Sequence, residues 1–503
     1  MKTFSYKLTL GLCTALLSVG TISCKEELLD PTPKTQLFSG VAFDTPTRIL
    51  LQVNNLYDFV KAGSFMGGRY QVYGDIRAND FLNRTSNLVT GAAVWQHTIT
   101  ETSANDVVAM WGAAYQAINQ INVFLDGMEA NNGKFVAPTF PSDFAATANA
   151  YKAEARFLRA LCYYSLLQYY ARPYADGAGS KPGLPLRLKG ETGQDGNDLA
   201  RSSVAEVYTQ ILADLNFAEQ NLPATYTAAA NGIPVSTLLS TRAHRNTAIA
   251  LKTRVYLSMG RYSDVVTEGN KIVSTAAPFT ATSGVNHRLD ASVATVFAAP
   301  QETSEMIFGF PFTAQDPPGT QNQLAYYFLP ASQGGNGEYS LNPAGILANP
   351  TFTAALDARR SALVTTSGTE TFLKKYATPS PYTDKAPVMR YAEVLLNLSE
   401  ALARANAADT RALALLNAVR GRSNPTGVYT AASFSSSFTI IDAILLERRI
   451  EFLGEGLRTI DLMRLLQPIP GKGTVSAVNT TDPLYIWPIP QSELLYNKLM
   501  TQN

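Results

Sequence analysis

Val388, Tyr391, Leu395, Leu398 and Leu402 step along the chain by three and four residues in alternation. That period places them on one face of a helix and predicts a helix over residues 386–406, with Glu400 and Arg404 as an outward i,i+4 pair in the favourable order. A second helix follows closely, from Asp409 as N-cap through Leu413, Leu416 and Val419 to a stop at Gly421. The same unit lies between Thr247 and Ser274: an apolar run carrying Tyr256 near its end, then Met259-Gly260-Arg261-Tyr262, then a second run. An aromatic, a glycine, another aromatic and a small-residue helix resemble a tetratricopeptide unit of about 34 residues. Further helices are predicted over 105–129, 148–170 and 203–220, with a late pair over 441–453 and 457–466. Four irregularly spaced helix pairs therefore dominate a mainly α chain.

Repeated helix pairs lengthen a protein without adding separate cores, so 503 residues need not mean several domains. With 46% apolar residues the chain can bury a large core and is not disordered. Gly-, Pro-, Ser- and Thr-rich segments separate the helices at 171–198, 225–240, 277–300, 311–350 and 376–385, and loops of this length usually carry function or form a second lobe. Forty-one Lys plus Arg against forty Asp plus Glu leave +1. No field exists to draw in nucleic acid. Three cysteines and three scattered histidines offer neither a disulfide framework nor a zinc-type ligand set.

The N-terminus reads as an address. Lys2 and Lys7 precede an apolar run from Leu8 to Val19, too short for the ~20 residues that span a bilayer, and small residues follow up to Ser23-Cys24. A small residue directly before Cys24 resembles a bacterial lipobox, in which the leader 1–23 is removed and Cys24 is acylated. Several acyl chains anchor stably where one would not. An ordinary cleavable leader is the alternative. Removal of Lys2 and Lys7 makes the mature charge −1. Residues 24–36, with Pro31 and Pro33, suit an extended tether to a globule over 37–503.

The residues that follow resemble the SusD/RagB-type nutrient-binding lipoproteins. Glu447-Arg448, Glu451, Glu455-Gly456, Arg458, Asp461-Leu462 and Arg464 match that family's C-terminal signature. Arg390-Tyr391-Ala392-Glu393 with Glu400, then Leu416 to Arg422, fit the preceding helix pair, and Trp487-Pro488-Ile489-Pro490 through Asn503 resembles the closing segment. In the N-terminal half Gly74-Asp75, Asp80, Trp111, Tyr115, Asn119, the stretch from Ala153 to Ala160 and Leu184-Pro185 agree. The resemblance implies a SusD-like α-α superhelix in which four tetratricopeptide-like pairs support an irregular, loop-rich lobe. It divides the globule into 37–230, 231–385 and 386–503. It also implies a surface lipoprotein of the outer membrane that captures oligosaccharide or polysaccharide, or in some members peptide, for a SusC-like TonB-dependent transporter.

The signature charges Glu447, Arg448, Glu451, Arg458, Asp461 and Arg464 could be taken for catalytic carboxylates with arginine neighbours. Their helical spacing instead predicts arginines that tie adjacent helices through carboxylates. Glycan recognition needs flat aromatic faces against sugar C–H surfaces, flanked by polar groups for the hydroxyls. Trp95, after the polar stretch Asn83 to Asn87, is expected as an exposed platform, whereas Trp111 and Trp487 are expected in the core. Tyr73, Asp75, Arg77 and Asp80 form a second polar and aromatic group, with a turn role for Asp75 and Asp80 as the alternative. Tyr326 and Tyr327 offer a further platform within 311–350. Asp195 and Glu206 sit twelve positions apart as in an EF-hand, but Leu199 and Ala200 break that loop. No nucleotide, serine-hydrolase or zincin motif occurs, so no cofactor is expected. The principal expectation is a non-catalytic glycan-binding protein; a helical surface glycoside hydrolase and a peptide-binding relative are the alternatives.

Overall fold

A computed structural model describes residues 41–193, 196–230 and 232–503. The leader, Cys24, the tether and Asp195 lie outside the described residues. The chain divides into two units between Ile49 and Leu50. In the described part of the first, Arg48 pairs with Asp44 at 3.9 Å; apart from the first turn of the first described helix, everything below concerns the second.

Among the described residues three helices come first: α1 (Pro46–Val60), α2 (Arg69–Ile76) and the short α3 (Ala92–Gln96). The principal helices are α4 (Ala109–Ala130), α5 (Phe144–Tyr170) and α6 (Val204–Asn221), then, after the short α7 (Val235–Thr241), α8 (Arg245–Ser258) and α9 (Tyr262–Gly269). Past the small helix α10 (Leu324–Phe328) they resume as α11 (Tyr391–Ala405), α12 (Thr410–Ser423), α13 (Ile440–Glu451) and α14 (Arg458–Arg464). Each principal helix packs on the next: α4 on α5, α5 on α6, α6 on α8, α8 on α9, α9 on α11, and α11 on both α12 and α13. Among the described residues no helix is long and apolar enough to cross a membrane.

Local chemistry sets many of the boundaries. Asp409 accepts the amide of Ala412 at 2.8 Å and caps α12. Ser203 and Glu206 close a capping box on α6, so Glu206 serves a helix start rather than an ion. Gly260, at φ +69°, turns α8 into α9, a left-handed conformation that only glycine takes at no cost.

Three expectations are corrected. Residues Ala386–Arg390 are a strand, not the first turn of α11, because they pair antiparallel with Met306–Phe310. That partner is too far along the chain for a helical period to register. Gly421 lies inside α12, which continues to Ser423 before Asn424 caps it. Glu400 does bond Arg404 at 2.8 Å, but it faces inward, fully buried, where Arg464 grips both its oxygens at 2.8 and 2.6 Å.

Among the described residues six strands form three two-stranded sheets: β1 (Phe81–Asn83) with β3 (Tyr339–Leu341), β2 (Met306–Phe310) with β6 (Ala386–Arg390), and β4 (Val364–Ser367) with β5 (Glu370–Leu373). The first of these brings the loop after α2 against the 311–350 insertion.

Where the sheets meet the C-terminal helices, charge is buried in quantity. Arg390 donates to Glu455, Glu451 and Glu305. Arg422 reaches Glu451 at 2.6 Å and also Glu305. Arg359 joins Asp357, Glu447 and Glu451; Arg420 reaches Glu447 at 3.0 Å, and Lys375 reaches Glu455 at 2.8 Å. Five carboxylates thus face five cations, so the cluster is neutral as a whole. Beside it Asp461 links Arg448 and Arg464 at 2.8 and 2.9 Å, which bears out the structural reading of the signature. Burial pushes Glu451 up, but Arg422, Arg390 and Arg359 outweigh it and hold its carboxyl well below the usual range. Asp461 is brought to about 2 in the same way, against burial, by Arg448 and Arg464.

Removing one partner of a buried ion pair leaves the others uncompensated, so Glu451→Ala is expected to cost about 3–5 kcal/mol in denaturant unfolding at neutral pH. Because the folded pKa values of Glu451 and Asp461 are depressed, their stabilisation is present at neutral pH and is lost on acidification below the usual carboxylate range. The gap between wild type and Glu451→Ala should therefore narrow toward pH 3, read from the urea midpoint.

Candidate functional site

The geometry of α2 and the loop behind it decides which polar and aromatic residues face water. All of α2, including Tyr73 and Asp75, is buried. Tyr73 donates to the carbonyl of Asn105 at 3.4 Å and packs on Trp487, ring centroids 5.7 Å apart. Asp75 accepts the amide of Gly456 at 2.6 Å through one oxygen, while its other oxygen has no partner. Arg77 donates to the carbonyls of Leu484 and Tyr485 at 3.1 and 3.2 Å. Asp80 takes the amide of Ile346 at 2.7 Å and both the Nε and Nη2 of Arg449. Asp75 and Asp80 therefore join the N-terminal half to the C-terminal signature, and Tyr73 and Arg77 join it to the segment 484–487.

Trp95 is not the exposed platform expected of it. Helix α3 turns its ring inward, leaving 9% exposed, and the indole Nε1 donates to the carbonyl of Phe81 at 2.9 Å. Lys472 Nζ stands 5.6 Å from the ring centroid. The polar residues preceding Trp95 suggested a wet loop; a hydrogen bond to β1 and a lysine from the C-terminal segment enclose it instead.

The 311–350 insertion separates its two tyrosines. Tyr327 is fully buried, its hydroxyl donating to the carbonyl of Gln321 at 2.8 Å and its ring stacked over Tyr339. Tyr326, one residue earlier on α10, points the other way and is half-buried. It meets Tyr382, also half-buried, with centroids 6.0 Å apart and planes 89° to each other. The side-chain amide of Gln321 donates to the Tyr326 hydroxyl at 3.4 Å, and the amide of Asn336 donates to the Tyr326 carbonyl at 3.0 Å.

Gln321 and Tyr382 both have left-handed backbones, φ +59° and +60°. Such residues cost roughly 1–3 kcal/mol each and persist where the surroundings hold them. Two of them flank one pair of rings. Beneath, Arg69 is 6% exposed, donates to the carbonyl of Asn105 and leaves its Nε without a partner; it lies beside the hydroxyls of Tyr73 and Tyr327. The result is an open aromatic corner on a rigid, charged base.

Sequence reasoning reached Tyr326 but missed Tyr382, Gln321 and Arg69. Tyr382 follows a Ser-Pro pair in a separate loop, and nothing local connects it to α10. Among the described residues no group of three or more His, Cys, Asp and Glu side chains is arranged to hold a metal ion.

The SusD family profile matches residues 353–503, and a second, described as starch-binding associating with outer membrane, matches residues 28–257. A SusD superfamily crystal structure from Bacteroides fragilis superposes with a TM-score of 0.78 at 31% identity, over 91% of this chain and 99% of that one. SusD-like protein P38 of Formosa agariphila is 22% identical, over 97% of each chain. A laminarin-binding SusD-like protein shares the fold, with a TM-score of 0.68 at 21% identity over 92% of this chain and 99% of that one.

Burial raises the Asp75 carboxyl to about 8, against the pull of the Gly456 amide. An acid whose folded pKa is raised binds its proton more tightly when folded, so its contribution falls as pH rises from the ordinary carboxylate value toward 8. Asp75→Asn keeps an acceptor for Gly456 and removes that dependence. The substitution should raise the unfolding midpoint at pH 8 more than at pH 5; an equal shift at both would refute the assignment.

Proposed function

We propose, for a chain that belongs to the SusD family, that it binds neutral oligosaccharide or polysaccharide on the Tyr326–Tyr382 corner and does not alter it. The single observation behind this reading is the perpendicular pair of half-buried rings, one on the left-handed residue Tyr382 and the other bonded by the left-handed residue Gln321. One ring accepts the C–H face of a sugar while the edge of the other limits how the sugar sits, and the amide of Gln321 and the phenol hydroxyls are placed for sugar hydroxyls. The family description, starch-binding, and the laminarin named for a relative of the same fold support a glycan as cargo. Tyr327 packs against Tyr326, whereas Tyr73, Asp75, Arg77, Asp80 and Trp95 are buried and hold the fold together.

Cys24 carries the acyl chains that hold the protein on the outer face of the outer membrane, and the cargo passes to a partner SusC-like TonB-dependent transporter. The reading makes this chain a receptor rather than an enzyme.

Titration calorimetry with soluble glucans tests the site. Tyr326→Ala should weaken binding by about 1.5 kcal/mol, on the order of tenfold in Kd, with the unfolding midpoint little changed. Unchanged affinity, or release of reducing ends by the purified wild type, would overturn it. Cys24→Ser should move the protein from the membrane fraction to the soluble fraction; retention on the membrane would reject the lipid anchor.

A further inference from the structure

A second concavity lies away from the tyrosine corner, between α1 and the start of the 311–350 insertion. It consists of a cleft of about 470 Å³ and an adjoining one of about 280 Å³. Asp58, Lys61 and Asp316 border both. Lys61 Nζ contacts Asp316 across the gap and stands 3.4 Å from Asp58, closing the passage between the two clefts. The two carboxylates are 53% and 61% exposed, while Lys61 is 13% exposed and its Nζ stands 5.5 Å from the Phe312 ring centroid. The larger cleft alone has the size of an ordinary ligand site.

The lining indicates what fits. Under the larger cleft, Tyr57 is fixed by donating to Glu154 at 2.7 Å and accepting the amide of Ala243 at 3.0 Å. Arg242 grips both oxygens of Glu154, at 2.7 and 3.0 Å, so its charge is neutralised; its Nη1 lies 3.4 Å from Asn54 Oδ1 and aligns that amide. One ammonium between two carboxylates leaves the rim net negative, which repels polyanions. The α1 wall has its backbone groups paired within the helix, so it gives a peptide no strand edge to join. It presents side-chain amides and carboxylates instead, Asn54, Asn55 and Asp58, over an apolar floor of Leu238 and Phe310. Such groups suit hydroxyls above sugar C–H surfaces.

We propose that this groove is a second saccharide site, for a further stretch of the same neutral glycan chain bound at the tyrosine corner; this rests on the glycan reading above. The two sites share one insertion. Pro318 borders the smaller cleft, its carbonyl accepts from Asn322 Nδ2 at 3.0 Å, and the neighbouring Gln321 bonds Tyr326. A chain long enough to occupy both gains avidity without new contacts at either.

Calorimetry on the full mature chain, with glucan disaccharide and octasaccharide as probes, tests this. Asn55 is exposed, so Asn55→Trp fills the groove without entering the core. It should weaken the octasaccharide on the order of tenfold and leave the disaccharide unchanged. Asp316→Ala should weaken the octasaccharide severalfold with the same selectivity. Tyr326→Ala should weaken both probes. Octasaccharide binding equal to wild type in both groove variants, with Tyr326→Ala still impaired, would overturn the second site alone. Failure of wild type to bind either probe would overturn the glycan reading and the groove together. Protection of the groove by peptides but not by glucans would overturn the assignment of its ligand.

Discussion

Five acids and five bases buried in one neutral cluster tie the β2–β6 sheet and the 357–375 segment to the C-terminal helices. Arg390, at the end of β6, joins β2 through Glu305 and the end of α13 through Glu451 and Glu455. Isolated, any of these charges would be costly to desolvate; together each carboxylate finds two or more donors, and attraction at low dielectric offsets the loss of water. The arrangement is demanding in geometry, because a displaced helix would strand a charge. It therefore fixes α11, α12 and α13 against the sheet more specifically than apolar packing alone would.

A second joint runs from this frame to the ligand-facing side. Asp75 meets the amide of Gly456, and Asp80 meets Arg449, so α2 and its loop are held by the same C-terminal helices. From there β1 pairs with β3 and the insertion is carried outward, ending with Tyr326 against Tyr382. Rigidity thus passes from ion pairs to sheet to aromatic corner. On the reading proposed above, a surface that receives varied lengths of a stiff polymer benefits from being already formed, because little ordering entropy is spent on binding.

Helix periods, caps and the signature charges were legible because each depends on neighbours within a turn or two. Asp409 and the turn at Gly260 acted as expected, and Glu447, Glu451 and Asp461 tie helices together as their spacing indicated. Errors arose where a distant partner overruled a local preference. Residues Ala386–Arg390 continue an apolar period yet pair with β2, and Glu400 has a surface partner in Arg404 yet is claimed by Arg464. Trp95 looked exposed by its polar approach and is enclosed by β1 and Lys472.

The amino-acid order by itself determined a mainly α chain of paired helices and the structural duty of the signature charges, since periodicity, capping and charge spacing act over a few residues, and its motifs carried the resemblance to the SusD family. Only the tertiary structure decided which aromatics face solvent. It turned Tyr326 out and Tyr327 in, brought Tyr382 from another loop to meet it, and set α1 opposite Asp316 to make a groove. Those placements depend on contacts between residues far apart along the chain, whose direction no local pattern encodes.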